Sequence, residues 1–256
     1  MASHNTPQPR RTVDLAGLGV PAGSYALPTR GDAEHLGEDT WSRFTQHFAN
    51  ELPLARLTAA ETSFLREHFM SQAEERRSQA LEYFYRQVPR RYEAVRPDER
   101  ASPWVASVAA SPRSAQSLLL LGSTGTGKTH LAFAALHELA YNGVHMPWRA
   151  YPAPDLFAQL RPRAGQDSEA AFLDMANCPL LFLDDLGTAK LSEWTEEVTY
   201  RLINHRYDHC LPSIFASNLS PKELSEVLGA RVASRLTQMC DRIVLTGPDR
   251  RKEARA

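Results

Sequence analysis

Short apolar runs alternate with helical patterns over the second half of the chain. Runs such as SLLLL, LLFL and SIFAS carry consecutive apolar residues, which is typical of strands that are buried on both faces of a parallel sheet. The pattern predicts strands over 117–121, 144–150, 180–184, 212–217 and 242–246. It predicts helices over 128–141, 153–160, 167–176, 193–209, 221–228 and 231–239. Strands that alternate with helices predict an α/β fold, with a parallel five-stranded sheet and helices on both faces.

The first half of the chain has a different pattern. Its beginning is rich in Pro, Gly and Ser without a sustained period, a helical pattern follows, and a Pro- and Arg-rich stretch then leads into the first predicted strand. We therefore predict a flexible arm over 1–35, a helical region over 36–87, a connector over 88–116 and the α/β core over 117–256.

Aromatic residues share one face of the predicted helical region. Trp41, Phe44 and Phe48 follow one another at helical spacing, and Thr58 with Glu61 has the spacing of a capping box at the start of a longer helix. We expect the face with Trp41, Phe44 and Phe48 to be the surface that chooses a partner. The apolar side of the longer helix is interpreted as helix-to-helix core, with a docking face for a partner protein as the alternative; its members are Leu65, Phe69, Ala73, Ala80 and Phe84. Because this region lies outside the α/β core, we expect it to bind the partner.

Composition excludes several classes of protein. The 256 residues contain 29 Lys and Arg and 30 Asp and Glu, so the formal net charge of −1 gives no global attraction to nucleic acid or membranes. No apolar run approaches the roughly 20 residues of a membrane span, and the first residues lack the apolar segment of a signal peptide. We expect a cytoplasmic protein with no membrane association, whose three cysteines are reduced thiols.

The stretch GSTGTGKT matches the phosphate-loop pattern G-x-x-x-x-G-K-[ST], also called Walker A. It follows an apolar strand and begins a predicted helix, as a phosphate loop must. Its glycines allow backbone N–H groups to converge on phosphate oxygens, the lysine would reach the β- and γ-phosphates, and the final threonine would hold Mg²⁺. The eight residues are Gly122, Ser123, Thr124, Gly125, Thr126, Gly127, Lys128 and Thr129.

Two carboxylates end the predicted strand 180–184. Asp184 is placed to hold Mg²⁺ together with Thr129, and Asp185 is placed to orient or deprotonate the attacking water. Two adjacent carboxylates at the end of a buried strand are unfavourable without a cation or hydrogen-bond donors nearby. The alternative interpretation is an ordinary acidic turn.

Asn218 follows the next apolar strand and is expected near the phosphates, because ligands bind at the carboxyl ends of parallel strands. Its amide would then bond the γ-phosphate or the water. The alternative is a simple turn, since the following residues, SPKE, also form a good helix start.

Arg231 and Arg235 are four residues apart on a predicted helix and so share a face. They are either a solvated basic face or the source of an arginine finger, which would complete the nucleotide site of a neighbouring copy.

These segments, in this order, resemble an AAA+ ATPase of the DnaC/DnaI helicase-loader and IstB group. The matching stretches are GSTGTGKTHLA, LLFLDDLG, FASN and RVASRL with VLTGPDRR, and the resemblance covers roughly Val88 to Arg251. It implies a P-loop AAA+ core without a lid domain. It also implies Asp184 and Asp185 as Walker B, Asn218 as sensor 1, and Arg235 as the finger with Arg231 beside it.

The resemblance implies a function and its cofactors. We expect a helicase loader of DNA replication that binds ATP and Mg²⁺, hydrolyses ATP slowly, contacts single-stranded DNA and a hexameric replicative helicase, and self-associates with an arginine finger in trans. The alternatives are an IstB-like transposition helper that acts on duplex DNA, and a nucleotide-dependent binding module whose hydrolysis is incidental.

Overall fold

The computed structural model of the chain describes residues 13–21, 23, 25–162, 167–187 and 192–249. The chain divides into two compact units, one ending at Ser78 and the other beginning at Gln79. Among the described residues, no helix is long and apolar enough to cross a membrane.

The first unit contains helix α1 (Thr40–Phe48), most of helix α2 (Ala59–Gln87) and two short 3-10 helices (Glu34–Leu36 and Leu54–Arg56). Phe44 and Phe48 are buried and Trp41 is half-buried against them. The aromatic face is therefore part of the core of this unit. The prediction that this face is available to a partner is wrong for Phe44 and Phe48, because neither side chain is accessible.

The described part of the predicted arm is packed. Leu18, Val20 and Ala33 are buried in the same core as Leu65 and Phe69, although they lie in the segment for which no period was found. Residues 1–12 of the arm are outside the described residues. Apolar residues in an irregular segment have no periodic pattern, so the sequence does not predict which helices bury them.

Helix α2 begins with the predicted capping box. The Thr58 N–H donates to Oε2 of Glu61 over 2.8 Å, and the Glu61 N–H donates to the Thr58 hydroxyl over 3.2 Å. The buried Glu61 carboxylate also accepts a hydrogen bond from the Arg43 guanidinium over 2.6 Å. The capping residue thereby joins α1 to α2.

The second unit is built on a parallel five-stranded sheet with the strand order β2-β3-β4-β1-β5. The strands are β1 (Ser117–Leu121), β2 (Trp148–Pro152), β3 (Leu180–Asp184), β4 (Ser213–Ser217) and β5 (Cys240–Val244). The predicted fold class, a parallel five-stranded sheet with helices on both faces, is confirmed.

Two strands are displaced from their predicted positions. Residues 144–146 belong to no strand, and the Val144 N–H donates back to the Leu139 carbonyl of the preceding helix, so β2 begins only at Trp148, where it pairs with β3. Strand β5 begins at Cys240 rather than 242, because its pairing with β1 starts there. Strand ends depend on pairing register, which an apolar pattern does not contain.

Alternate residues of the strands build two cores. Leu118, Leu120 and Phe182 face one side, and Leu119, Leu181 and Phe215 face the other. The first side packs against α3 (Ser102–Ala110), α4 (Lys128–Tyr141) and the end of α2. The second side packs against α5 (Ala153–Leu160), α6 (Ser168–Ala176), α7 (Glu193–Asp208) and α8 (Pro221–Met239).

Two helices differ from the prediction. Helix α3 lies inside the predicted connector, where Trp104, Val105 and Val108 are buried, and its short apolar stretch was not recognised as helical. The two helices predicted over 221–228 and 231–239 form the single element α8, kinked where Gly229 leaves helical geometry with φ of 80°. Ala80 and Phe84 of α2 also belong to the core of the second unit.

Candidate nucleotide site

The phosphate loop lies between β1 and α4, in the predicted context. Gly125 has φ of 84° and Gly127, the residue before the helix, has φ of 99°. These values belong to the left-handed region, which side chains disfavour and glycine adopts freely. Both turns are needed for the chain to reverse from the end of a buried strand into a helix whose first residue is Lys128.

Lys128 is held inside the site. It is only 5% exposed, and its ammonium donates to the carbonyls of Gly122 (2.8 Å) and Ser123 (2.9 Å) and to Oδ1 of Asn218 (2.6 Å). The lysine therefore joins the loop to the end of β4. Asn218 is not merely a turn residue, since its side chain reaches the charged group of the loop.

Asp184 and Thr129 form the second part of the site. The Thr129 hydroxyl donates to Oδ2 of Asp184 over 2.7 Å, and Oδ1 accepts from the Asp185 N–H over 2.9 Å. Burial raises the pKa of Asp184 above its ordinary value; the Thr129 hydrogen bond opposes this, and the charge of Asp185 adds to it. A buried carboxylate in this situation is stabilised by a cation, and carboxylate and hydroxyl oxygens are ligands that suit Mg²⁺. The residues present therefore fit a divalent cation.

Asp185 adopts an unusual backbone conformation at the end of β3. Its φ is 56°, which is uncommon outside glycine and recurs at functional sites. Strand β4 holds this turn, because the Leu186 N–H donates to the Ala216 carbonyl (2.8 Å) and the Ser217 hydroxyl donates to the Leu186 carbonyl (2.6 Å). The Asn218 amide donates to Oδ1 of Asp185 over 3.1 Å.

Five residues predicted from the sequence thus meet at the carboxyl edge of the sheet. Asn218 lies at the centre, because its amide group contacts both Lys128 and Asp185. The arrangement brings one cation, a hydroxyl, two carboxylates and an amide into a single hydrogen-bonded network. The members are Lys128, Thr129, Asp184, Asp185 and Asn218, and we refer to them as the nucleotide network.

The two arginines lie elsewhere. Arg231 is exposed. Arg235 donates to Oε1 of Gln238 over 3.2 Å, and its guanidinium carbon lies 4.3 Å from the ring centroid of Tyr207 on α7. Both belong to α8, which packs on the face of the sheet opposite to α4. Within the described residues, no recorded contact joins either arginine to the nucleotide network.

Asp249 was missed by sequence reasoning. The segment after β5 returns to the loop, since the Leu245 N–H donates to the Leu121 carbonyl over 2.7 Å, and a Cβ on Gly125 would collide with the Asp249 carboxylate. Asp249 belongs to the stretch VLTGPDRR, but no local pattern assigns a role to an aspartate there. Arg250 and Arg251 of that stretch lie outside the described residues.

The sheet order, with β1 flanked by β4 and β5 and followed by the phosphate loop, defines a P-loop ATPase core of the AAA+ class. The strand-end aspartates on β3 and the asparagine on the adjacent β4 agree with this class. The chain belongs to the family of IstB-like ATP binding proteins, whose family model matches residues 92–252.

Two relatives carry different functional names. The chain is 31% identical over 148 residues to the replicative helicase loader DnaI of Bacillus subtilis (strain 168), covering 52% of this chain and 47% of that protein. It is 34% identical over 133 residues to the insertion sequence IS5376 putative ATP-binding protein of Geobacillus stearothermophilus, covering 50% of each. The chain spans about half the length of these relatives.

A solved structure has the same core. The crystal structure of the DnaC helicase loader superposes with a TM-score of 0.54 at 27% identity, covering 62% of this chain and 100% of that one. The similarity therefore supports the fold and ATP binding, but it does not identify the partner protein.

Proposed function

We propose that this protein is an ATP-dependent helicase loader of DNA replication, which binds ATP with Mg²⁺, hydrolyses it slowly and contacts single-stranded DNA. The observation that carries the ATPase part is the bridge from Lys128 through Asn218 to Asp185. This bridge connects the phosphate loop to the carboxylate that would act on water. The loader part rests on similarity to replicative helicase loaders.

In this proposal, each residue of the nucleotide network has a role in hydrolysis. Lys128 exchanges its contacts with the loop carbonyls for phosphate oxygens and so stabilises the negative charge of the transferring group. Asp185 orients the attacking water or accepts its proton, and Asn218 fixes the carboxylate that does so. Aspartate is shorter than glutamate, so slow turnover agrees with this assignment.

Thr129 and Asp184 would hold Mg²⁺. An ion held there would supply charge neutralisation for the phosphate oxygens. The hydrogen bond between Thr129 and Asp184 keeps the two oxygen groups adjacent. The other loop residues, Gly122 to Gly127, and Arg231 complete the proposed nucleotide-binding set.

Arg235 is the proposed arginine finger, acting in trans on a neighbouring copy. Its helix packs on the face of the sheet opposite to the helix that begins with Lys128, which favours action between copies over action within one. Self-association through the ATP site follows from this assignment. Removal of such a finger lowers turnover by about 10³-fold or more.

A second candidate is an IstB-like transposition helper that acts on duplex DNA with a transposase. The family description and the similarity to an insertion-sequence ATP-binding protein favour it. Both candidates use the same ATPase site, and they differ in the protein partner and in the form of DNA.

One experiment separates the candidates. The full chain is titrated with single-stranded DNA, duplex DNA and a purified hexameric replicative helicase, with ATP turnover and complex formation measured in parallel. A loader forms a complex with the helicase and is stimulated more by single strands. Preference for duplex DNA without helicase binding would instead support the transposition helper, and binding to none of them would leave a module with incidental hydrolysis.

A further inference from the structure

Arg235 is held in place by two neutral side chains. Its guanidinium stacks on the Tyr207 ring at 4.3 Å from the centroid, and its Nη1 donates to Oε1 of Gln238 over 3.2 Å. Tyr207 lies on α7, and Arg235 and Gln238 lie on α8, so the contact crosses between two helices. Ring and guanidinium at this distance attract one another.

The neutrality of these partners distinguishes Arg235 from those arginines of the same unit that form salt bridges. Arg201, for example, forms a salt bridge with Glu169 over 2.6 Å, and Arg149 forms one with Asp174 over 2.6 Å. Within the described residues, no salt bridge is recorded for Arg235. A carboxylate partner would compete with a phosphate for the guanidinium, whereas an aromatic ring orients the group without neutralising it.

Tyr207 is itself firmly supported. Its ring packs against the core on the α8 side of the sheet. The preceding residue, Arg206, is fully buried and donates to the carbonyls of Ala176, Cys178 and Pro212. The carboxyl end of α7 is therefore fixed to the ends of two neighbouring segments, and the ring on it is a rigid support.

We infer that Tyr207 and Gln238 are positioning residues for Arg235, which hold its guanidinium ready for the nucleotide site of a second copy of this chain. The inference rests on the proposed function, in which Arg235 acts in trans. A free arginine side chain has many rotamers, and a support that fixes it beforehand reduces the entropy lost when two copies meet. Tyr207 acts through Arg235 and does not itself contact the nucleotide.

The test uses the full chain and compares substitutions that keep or remove the ring. Tyr207→Leu removes the aromatic face, Tyr207→Phe keeps it, and Tyr141→Leu removes a tyrosine that is 45% exposed on α4, on the other side of the sheet. ATP affinity is measured by equilibrium titration, and turnover is measured with and without a DNA that aligns copies.

We expect Tyr207→Leu to lower the stimulated turnover about tenfold, as the loss of one cation–π contact implies, with ATP affinity unchanged. Tyr207→Phe and Tyr141→Leu should retain turnover. Gln238→Leu should lower it about two- to threefold, since a single hydrogen bond is lost. A merely structural role would instead reduce thermal stability, ATP affinity and turnover together.

Mixing of variants provides the decisive measurement. Tyr207→Leu copies have an intact loop, and Lys128→Ala copies have an intact and supported Arg235, so mixtures should recover part of the stimulated turnover. If Arg235→Ala leaves stimulated turnover unchanged, the finger of the proposed function is wrong. If Arg235→Ala is impaired but Tyr207→Leu is normal or faster, or Tyr207→Phe is as impaired as Tyr207→Leu, the positioning role alone is overturned.

Discussion

The sheet of the second unit has a polar cluster at each end of its strands, and the charged side chains of the two clusters have different kinds of hydrogen-bond partner. At the carboxyl end, hydrogen bonds join the side chains of the nucleotide network to one another. At the amino end, the fully buried Arg206 donates to three backbone carbonyls and to the Ser213 hydroxyl. Burial lowers the pKa of Arg206 to about 10, so it remains charged at neutral pH.

The comparison shows that burial of a charge does not by itself identify a functional residue. The carbonyls around Arg206 are fixed by the fold, and a ligand has no access to replace them. The partners of Lys128 and Asp185 include side chains such as Asn218, which can exchange one hydrogen bond for another when a nucleotide binds. The charge of Arg206 therefore stabilises the fold, whereas the charges of Lys128 and Asp185 are available for chemistry.

The largest expected effect on stability is at Arg206. Arg206→Met keeps the length of the side chain but leaves three carbonyls and a hydroxyl without a donor, so the free energy of unfolding should fall by at least about 3 kcal/mol. Denaturant unfolding measures this. The control is Arg201→Met, an exposed arginine on the same helix whose ion pair with Glu169 contributes below about 1 kcal/mol. Equal losses in both variants would contradict the structural role of Arg206.

Turnover should respond most strongly to Asp185→Asn. The amide keeps the shape of the side chain but neither accepts a proton nor attracts one from water, so turnover should fall about 10³-fold, within the range of general-base effects. ATP affinity should stay within a few fold, because Asp184 and Lys128 remain. Native turnover in this variant would show that Asp185 does not act on the water.

Nucleotide affinity should respond most strongly to Lys128→Ala. Loss of charge-assisted hydrogen bonds worth about 1.5–3 kcal/mol each predicts at least about 10²-fold weaker ATP binding by equilibrium titration. The free energy of unfolding should change much less than in Arg206→Met. If Lys128→Ala is strongly destabilised but binds ATP normally, Lys128 has the structural role that we assign to Arg206.

Asp249→Asn tests a smaller contribution at the edge of the nucleotide network. A carboxylate against Gly125 repels the triphosphate, so its neutralisation should tighten ATP binding about three- to tenfold, the scale of one charge pair about 4 Å apart in water. The gain should shrink as salt is added, because salt screens exposed charges. Weaker binding would mean that Asp249 supports the bound nucleotide.

The smallest effect concerns His137, which belongs to neither cluster. Burial lowers the pKa of His137 below its ordinary 6.5, and the positive charge of Arg96 acts in the same direction. Its Nε2 contacts the Tyr85 hydroxyl, its ring stacks on Tyr141, and its buried Nδ1 has no hydrogen-bond partner among the described residues. The folded state therefore favours the neutral ring.

The unfolded chain takes up the proton first as the pH falls below about 6.5. Stability should then decline between that pH and the lower folded-state pKa of His137. His137→Phe should lose less free energy of unfolding between pH 7.5 and 5 than the native chain. An identical loss in both proteins would exclude His137 as a source of the pH dependence.

The sequence by itself determined the features that depend on neighbouring residues. Apolar runs located β1 and β3 at their observed bounds, Thr58 and Glu61 marked the start of α2, and the loop from Gly122 to Thr129 was placed between a strand and a helix. These signals are local, because periodicity, capping and turn chemistry involve residues only a few positions apart. The sequence did not predict helix α3 or the starts of β2 and β5, because packing and strand register determine them.

Only the tertiary structure decided which distant residues meet. Asn218 contacts Lys128 across 90 positions and Asp185 across 33, Asp249 returns to Gly125, and Tyr207 supports Arg235 from another helix. The same holds for Phe44 and Phe48, whose pattern fits either a core or a docking face until Leu18, Leu65 and Phe69 are seen to cover them. Such contacts follow from strand order and helix packing, which bring together segments whose sequences carry no signal of one another.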